Sequence, residues 1–229
     1  MVIRNSKIIF GALCLTWLLS CKKWDDYKKY QTGGELVYPG IITNPLTYPG
    51  AGRVMLTWDP SIDPSVKKYI VRWNNGADSL VVNANSHSPV DTIRITIEGL
   101  TELNYFFSVY SIDDKGNRSV AANIPGVKIY GPIYQGGLFN RGYKTYDYSG
   151  GTLRLFWNVP DTINIRTEVD YVDTTGTART AWLFPEQDTL VIPDWKDSTI
   201  LYYRSSYIPV RSAIDTFTVG HYDSLELKL

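Results

Sequence analysis

The feature that most constrains this chain is a succession of short alternating segments, each closed by a turn. Val54-Met55-Leu56-Thr57-Trp58 stops at Asp59-Pro60, and Tyr69-Ile70-Val71-Arg72-Trp73 stops at Asn74-Asn75-Gly76. Ile93, Ile95 and Ile97 share one face of the next long run. Tyr105-Phe106-Phe107-Ser108-Val109 follows, before the turn Asp113-Asp114-Lys115-Gly116-Asn117. A period of two puts one face of a strand in a core and the other in water. Helical periodicity is almost absent. Aromatic residues make up 14% of the chain, with 17 tyrosines, and they accompany many Val, Ile and Thr residues, a mixture that favours strands. The fold class predicted is all-β.

The second half repeats the order of the first. Leu153-Arg154-Leu155-Phe156-Trp157 echoes the run ending at Trp58, and Glu168-Val169-Asp170-Tyr171 echoes the Trp73 strand. Thr189-Leu190-Val191-Ile192 echoes the start of the Thr92–Ile97 run, and Leu201-Tyr202-Tyr203 echoes Leu103-Asn104-Tyr105. Trp157 stands 99 residues after Trp58, and Tyr203 stands 98 after Tyr105. A repeat of about one hundred residues is one β-sandwich long. The first copy resembles a fibronectin type III domain in Trp58, in Tyr69-x-Val71-x-Trp73, and in Leu100-x-x-Leu103-x-Tyr105-x-Phe107-x-Val109. The resemblance implies a tyrosine corner at Tyr105, its hydroxyl bonded to nearby backbone. In the second copy either Tyr202 or Tyr203 could fill that role.

The N-terminus reads as an address. Arg4 and Lys7 precede an apolar run from Ile8 to Leu19, which is too short for a membrane-spanning helix of about 20 residues. It ends Leu18-Leu19-Ser20-Cys21, which resembles the lipobox of bacterial lipoproteins. That resemblance implies cleavage before Cys21 and lipid attachment to its thiol. Each buried CH₂ of an acyl chain contributes about 0.8 kcal/mol, so several chains hold a protein to a membrane without a spanning helix. The tether Lys22-Lys23-Trp24-Asp25-Asp26-Tyr27-Lys28-Lys29 resembles the export signal of Bacteroidetes-type surface lipoproteins, and also reads as a solvated linker of mixed charge. The expected organisation is a signal peptide (1–20), a lipidated tether (21–40), and two tandem fibronectin type III-like β-sandwiches (41–127 and 128–229). The expected location is the outer membrane, at the cell surface or on its periplasmic face.

Processing would also fix the redox chemistry and the charge. The chain has two cysteines, and removal of residues 1–20 takes Cys14, leaving Cys21 alone and no disulfide. Arg4 and Lys7 leave with it, so a neutral chain becomes one of formal charge −2. Nothing in that balance calls for nucleic acid as a partner.

Taken whole, residues 21–229 resemble a Bacteroidetes-type two-domain envelope lipoprotein family of unknown function. The stretches that carry this are Gly33-Gly34-Glu35-Leu36-Val37-Tyr38-Pro39-Gly40, Tyr48-Pro49-Gly50 before Arg53, Val66-Lys67-Lys68-Tyr69 leading to Trp73-Asn74-Asn75-Gly76, and Ala213-Ile214-Asp215-Thr216-Phe217. The resemblance implies an envelope lipoprotein, often associated with glycan utilisation or surface adhesion. It carries over one functional residue, Cys21.

Catalytic signatures are missing from the sequence. The two histidines, His87 and His221, have no metal partner at useful spacing, and both are expected as solvated surface residues. No GxSxG elbow occurs. Asp113-Asp114-Lys115-Gly116-Asn117 offers oxygen atoms, but Lys115 sits in its middle and no bidentate Glu follows, so a hairpin turn is expected rather than a calcium loop. No catalytic residues, metal ligands or cofactors are predicted. Two sets of residues carry binding or modification readings. Trp182 and Trp195 lie in irregular sequence beside Pro185 and Pro193, where an exposed ring could stack on a sugar or a buried one could fill a core. Eight of the 17 aspartates are followed by Ser or Thr, and Ser79, Thr92, Thr162, Thr189 and Ser224 also precede an aliphatic residue. These five resemble the O-glycosylation acceptors of Bacteroidetes envelope proteins, and equally suit Asp turns that open strands. The expected partners are a membrane, through Cys21, and an envelope protein or glycan.

Overall fold

The computed structural model describes residues 38–228. Cys21 and most of the segments expected as signal peptide and tether lie outside them. Fifteen strands and little helix make up the described chain. In the first sandwich β1 (Thr43–Pro49), β2 (Arg53–Asp59) and β5 (Ile93–Glu98) form one antiparallel sheet in the order β1-β2-β5. Facing it is the sheet β4-β3-β6-β7, made of β3 (Val66–Trp73), β4 (Asp78–Asn83), β6 (Asn104–Asp113) and β7 (Ala122–Lys128). The second sandwich repeats the plan. β8 (Tyr143–Ser149), β9 (Thr152–Trp157) and β12 (Thr189–Ile192) form β12-β9-β8. β10 (Asn164–Val172), β11 (Ala178–Leu183), β13 (Leu201–Tyr207), β14 (Phe217–Thr218) and β15 (Asp223–Leu225) form β11-β10-β13-β14, with β15 also on β13. A three-strand sheet on a four-strand sheet, in the same order twice, is the architecture of tandem fibronectin type III domains. Between the sandwiches runs a one-turn helix, α1 (Pro132–Gly136).

Alternation builds both cores. On β2, Val54, Leu56 and Trp58 point inward and are fully buried. They meet Tyr69 and Val71 of β3 and Phe107 and Val109 of β6 across the sandwich. Trp58 packs edge-on against Tyr69 at 5.8 Å. The second core repeats this with Leu153, Leu155 and Trp157 of β9 against Val169 and Tyr203, Trp157 lying edge-on to Tyr203 at 4.8 Å. The paired sequence runs therefore occupy equivalent strands: β2 with β9, β3 with β10, β5 with β12, and β6 with β13.

Turn chemistry closes the strands. Gly150 and Gly151, at φ 60° and 77°, form the two-residue hairpin between β8 and β9, where glycine takes two successive left-handed conformations at no steric cost. The Asp113 turn is a hairpin: its carboxylate accepts the Lys115 and Asn117 amides at 3.0 and 2.7 Å and the Asn117 side chain at 2.7 Å.

The tyrosine corner exists in one copy. Tyr105 Oη accepts the Thr101 amide at 3.1 Å and meets the Thr101 hydroxyl at 2.8 Å. In the second copy Tyr203 is the buried ring and Tyr202 is half exposed. Burial, and then the Asp223 carboxylate, push the Tyr203 hydroxyl up to about 12.

Candidate functional site

Two places gather side chains beyond what a core needs. The first is the junction of the sandwiches. The loop after β13 turns back toward the first sandwich, and Ile214 N–H donates to the Pro49 carbonyl at 2.9 Å. Asp215 then receives three donors. Arg53 Nε and Nη2 reach its two oxygens at 2.9 and 2.6 Å, and the Ala51 amide reaches Oδ2 at 2.8 Å. This bidentate guanidinium–carboxylate fork fixes distance and orientation together. The Arg53 guanidinium, ahead of all other causes, holds the Asp215 carboxyl below its ordinary range. Gly50 permits the approach, because a Cβ there would run into the Asp215 carboxylate and Ile214.

The linker completes the junction. Gly52 N–H donates to the Tyr130 carbonyl at 2.9 Å, and Tyr130 N–H to the Gly50 carbonyl at 3.2 Å. Tyr130, Tyr134 and Phe217 pack edge to face, with the Tyr134 and Phe217 centroids 5.1 Å apart. Glu102 caps α1, accepting the Ile133 and Tyr134 amides at 2.8 Å each. The Gln135 side chain donates to the Thr218 carbonyl at 2.8 Å. A groove of about 590 Å³ runs along this junction, walled by Leu100, Glu102, Tyr130, Ile133 and Phe217.

The second place is the outward face of β11-β10-β13. The registers set Trp182 opposite Glu168 and Glu168 opposite Arg204. The Arg166 guanidinium lies 4.4 Å from the centre of the Trp182 ring, and Arg204 lies 4.4 Å from that of Tyr222. Arg204 pairs with Glu168, which also accepts the Tyr222 hydroxyl at 2.9 Å. Burial, and then that bond to Glu168, push the Tyr222 hydroxyl up to about 12. The result is a row of planar side chains, with Trp182 40% and Tyr222 41% exposed.

The sequence candidates separate on this structure. Trp182 has an exposed ring. Trp195 does not: it is 1% exposed and lies edge-on to Tyr148 at 5.5 Å, so it is a core residue and cannot stack on a sugar. Its segment is drawn inward because it pairs with the end of β10, through the Asp173–Trp195 bridge and the Lys196 N–H bond to the Val172 carbonyl at 2.8 Å. Ser79, Thr92, Thr162 and Ser224 are exposed, whereas Thr189 is partly buried with its hydroxyl on Asp188 at 2.9 Å. His221 is exposed. His87 departs from the solvated surface position expected of it. Its loop folds back, leaving the ring half-buried with Nδ1 3.1 Å from the Ser61 carbonyl. The two histidines belong to different sandwiches. Among the described residues no group of three or more His, Cys, Asp or Glu side chains is placed to hold a metal ion. No described helix is long and apolar enough to cross a membrane.

The family model DUF4998, described as a domain of unknown function, matches residues 21–217. The chain belongs to this family. The DUF4998 match spans both sandwiches and contains both halves of the junction, from Pro49 and Arg53 to Asp215 and Phe217. A comparison with curated proteins finds no match. Among solved structures the chain is similar to a two-domain fibronectin type III segment of chicken tenascin, at 12% identity and a TM-score of 0.35, covering 81% of this chain and 99% of that one. It is also similar to the FN1–FN3 domains of chicken CNTN1, at 13% identity and a TM-score of 0.43, covering 85% of this chain and 67% of that one. The fold assignment stands on strand order and register, not on these scores.

Sequence reasoning missed the junction. Tyr48-Pro49-Gly50, Arg53 and Ala213–Phe217 stood out as stretches shared with a family, but nothing in one sequence pairs positions 162 residues apart.

Proposed function

We propose that this chain is a non-catalytic lipoprotein of a bacterial envelope, anchored through Cys21 at the outer membrane, and that it works as a two-domain binding or spacer module. The observation that carries the reading is the Arg53–Asp215 junction. A flexible string of domains needs no bidentate clamp between them, whereas a module that holds a partner at a set distance does. The tether and lipobox support the anchor, and the family match begins at Cys21. Sandwiches present end loops and strand edges to partners, so contact uses those.

Fractionation of cells expressing the full chain tests the anchor. The wild type is expected in the membrane fraction and labelled by a fatty-acid probe. Cys21→Ser is expected unlabelled and released to the soluble fraction, since it loses every acyl chain at about 0.8 kcal/mol per CH₂. A Cys21→Ser chain that stays labelled and membrane-bound would overturn the reading.

A second reading, direct carbohydrate binding, is favoured by the Trp182 row. An exposed indole flanked by Arg166, Glu168 and Arg204 offers a stacking face beside planar donors and acceptors. On a glycan array the wild type is expected to retain a ligand that Trp182→Ala binds about tenfold more weakly, a difference of ~1.4 kcal/mol. Equal retention by both proteins removes this reading and leaves the spacer reading intact.

A further inference from the structure

An exposed strand edge is a template for pairing with another chain, and proteins guard such edges with proline, charge, bulges or short length. Among the described strands the other sheet edges are guarded in those ways, and β4 is the least protected, with its one charge, Asp78, at its first residue. β1 carries Pro45, Pro49 and a bulge. β7 carries Pro125 and a bulge. β5 carries Arg94 and Glu98, β8 carries Lys144 and Asp147, and β11 carries Arg179. β12, β14 and β15 have four, two and three residues. β4 reads Asp78-Ser79-Leu80-Val81-Val82-Asn83, six residues with no proline, no cation and no bulge in its pairing with β3. It is the end strand of its sheet.

The register shows which groups that edge offers. Lys68 is the partner of Asn83 on β3, and the Ala84 amide donates to the Lys67 carbonyl at 2.9 Å. Backbone groups of alternate residues point to opposite edges of a strand. The even residues Leu80, Val82 and Ala84 therefore bond to β3, and Ser79, Val81 and Asn83 turn their N–H and C=O groups outward. The side chains alternate too. Leu80 and Val82 pack on the core, and Val81 is 56% exposed on the outer face.

We infer that β4 is a self-pairing edge, and that its occupant is the β4 strand of a second copy of this chain, antiparallel across a two-fold axis at Val81. This goes beyond the spacer reading and does not depend on the lipid. In that register Val81 exchanges both backbone bonds with its twin, and Ser79 does so with Asn83 on either side. These are the residues whose backbone groups face outward. Directly opposed residues of an antiparallel pair share a face. Leu80 thus meets Val82 on the core side, and Val81 meets Val81 on the outer side. Asp78 falls opposite Ala84, so no like charges meet. A one-residue slip would oppose Leu80 to Val81 and put an apolar core residue against an outward one. Hydrogen bonds, faces and charge all match between two copies in this register, so a second copy satisfies the edge by itself. An isologous interface of this kind closes as a dimer. The strip is narrow, which places it with weak, transient interfaces.

The experiment uses the full chain, purified in excess detergent and followed by sedimentation velocity over a concentration series, with Val81→Lys, Val81→Glu and Thr96→Lys beside the wild type. The wild type is expected to dimerise. Val81→Lys places two cations together on the axis and is expected to raise the dimer dissociation constant by at least about tenfold. Its melting temperature should stay unchanged, because the position is exposed. An equimolar mixture of the Lys and Glu variants is expected to regain the dimer. Thr96→Lys, on an edge of the opposite sheet, is expected to dimerise like the wild type. The inference is overturned by a wild type monomeric at hundreds of micromolar (including one whose β4 instead captures a strand of another protein), by a Val81→Lys chain that dimerises as the wild type does, or by a mixture that stays monomeric.

Discussion

Trp195→Ala is expected to destabilise the second sandwich by about 3–5 kcal/mol, the usual cost of emptying a buried aromatic site. The indole is 1% exposed and sits in one cluster with Leu153, Leu183 and Leu201. Its stabilisation comes chiefly from packing in that cluster. The neighbours cannot collapse into the space. Lys196 is tied to Val172, Thr174 N–H donates to the Asp194 carbonyl at 2.7 Å, and the Tyr171 hydroxyl donates to the Asp194 carboxylate at 2.9 Å. Trp195→Phe keeps a ring against Tyr148 and should cost less. Trp182→Ala should cost clearly less than Trp195→Ala, because its ring is 40% exposed and already meets water over much of its surface. Urea unfolding of the three variants beside the wild type checks the order. Equal losses for Trp182→Ala and Trp195→Ala would contradict the burial that separates them.

These two tryptophans also show where one sequence stops informing. Both lie in segments without a period of two, flanked by proline, and nothing local distinguishes them. Trp182 is outward because β11 pairs with β10 in a register that sets it opposite Glu168. Trp195 is inward because its segment bridges to Asp173, more than twenty residues earlier. By contrast Trp58, Trp157 and Tyr105 were legible, since alternation assigns an inward face and the repeat assigns equivalent strands, whereas Tyr202 and Tyr203 stayed alternatives until burial separated them. β1 escaped that reading because Pro45 and Pro49 argue against a strand. As an edge strand it tolerates prolines whose missing N–H faces away from the ladder. His87 shows the same limit on a smaller scale. Its loop has the composition of solvated sequence, and only the fold returns it to Ser61.

Asp215→Ala is expected to uncouple the sandwiches without unfolding either. Each has its own core, and Asp215 belongs to neither. The substitution removes both arms of the Arg53 fork and leaves the Ala51 amide without its acceptor. Calorimetry should then show two separated transitions, the first a few degrees below the wild-type onset, and small-angle scattering should show a broader spread of interdomain distances. Gly50→Ala should reproduce this by steric means, since its Cβ would occupy the space of the Asp215 carboxylate and Ile214. Arg53→Lys keeps the charge and loses the two-pronged geometry, so it should fall between the two. The pH dependence has a fixed sign. The folded carboxyl of Asp215 is held below its ordinary value, first by the bond from Arg53. Its contribution is therefore complete above the unfolded value of about 3.9 and is lost as pH falls through the lower, folded value. Wild-type scattering profiles should stay constant from neutral pH down to the ordinary carboxylate range and broaden only below it, toward the Asp215→Ala profile. A wild type that broadens near neutrality, or an Asp215→Ala chain as narrow as the wild type throughout, would show that the fork does not set the angle between the sandwiches.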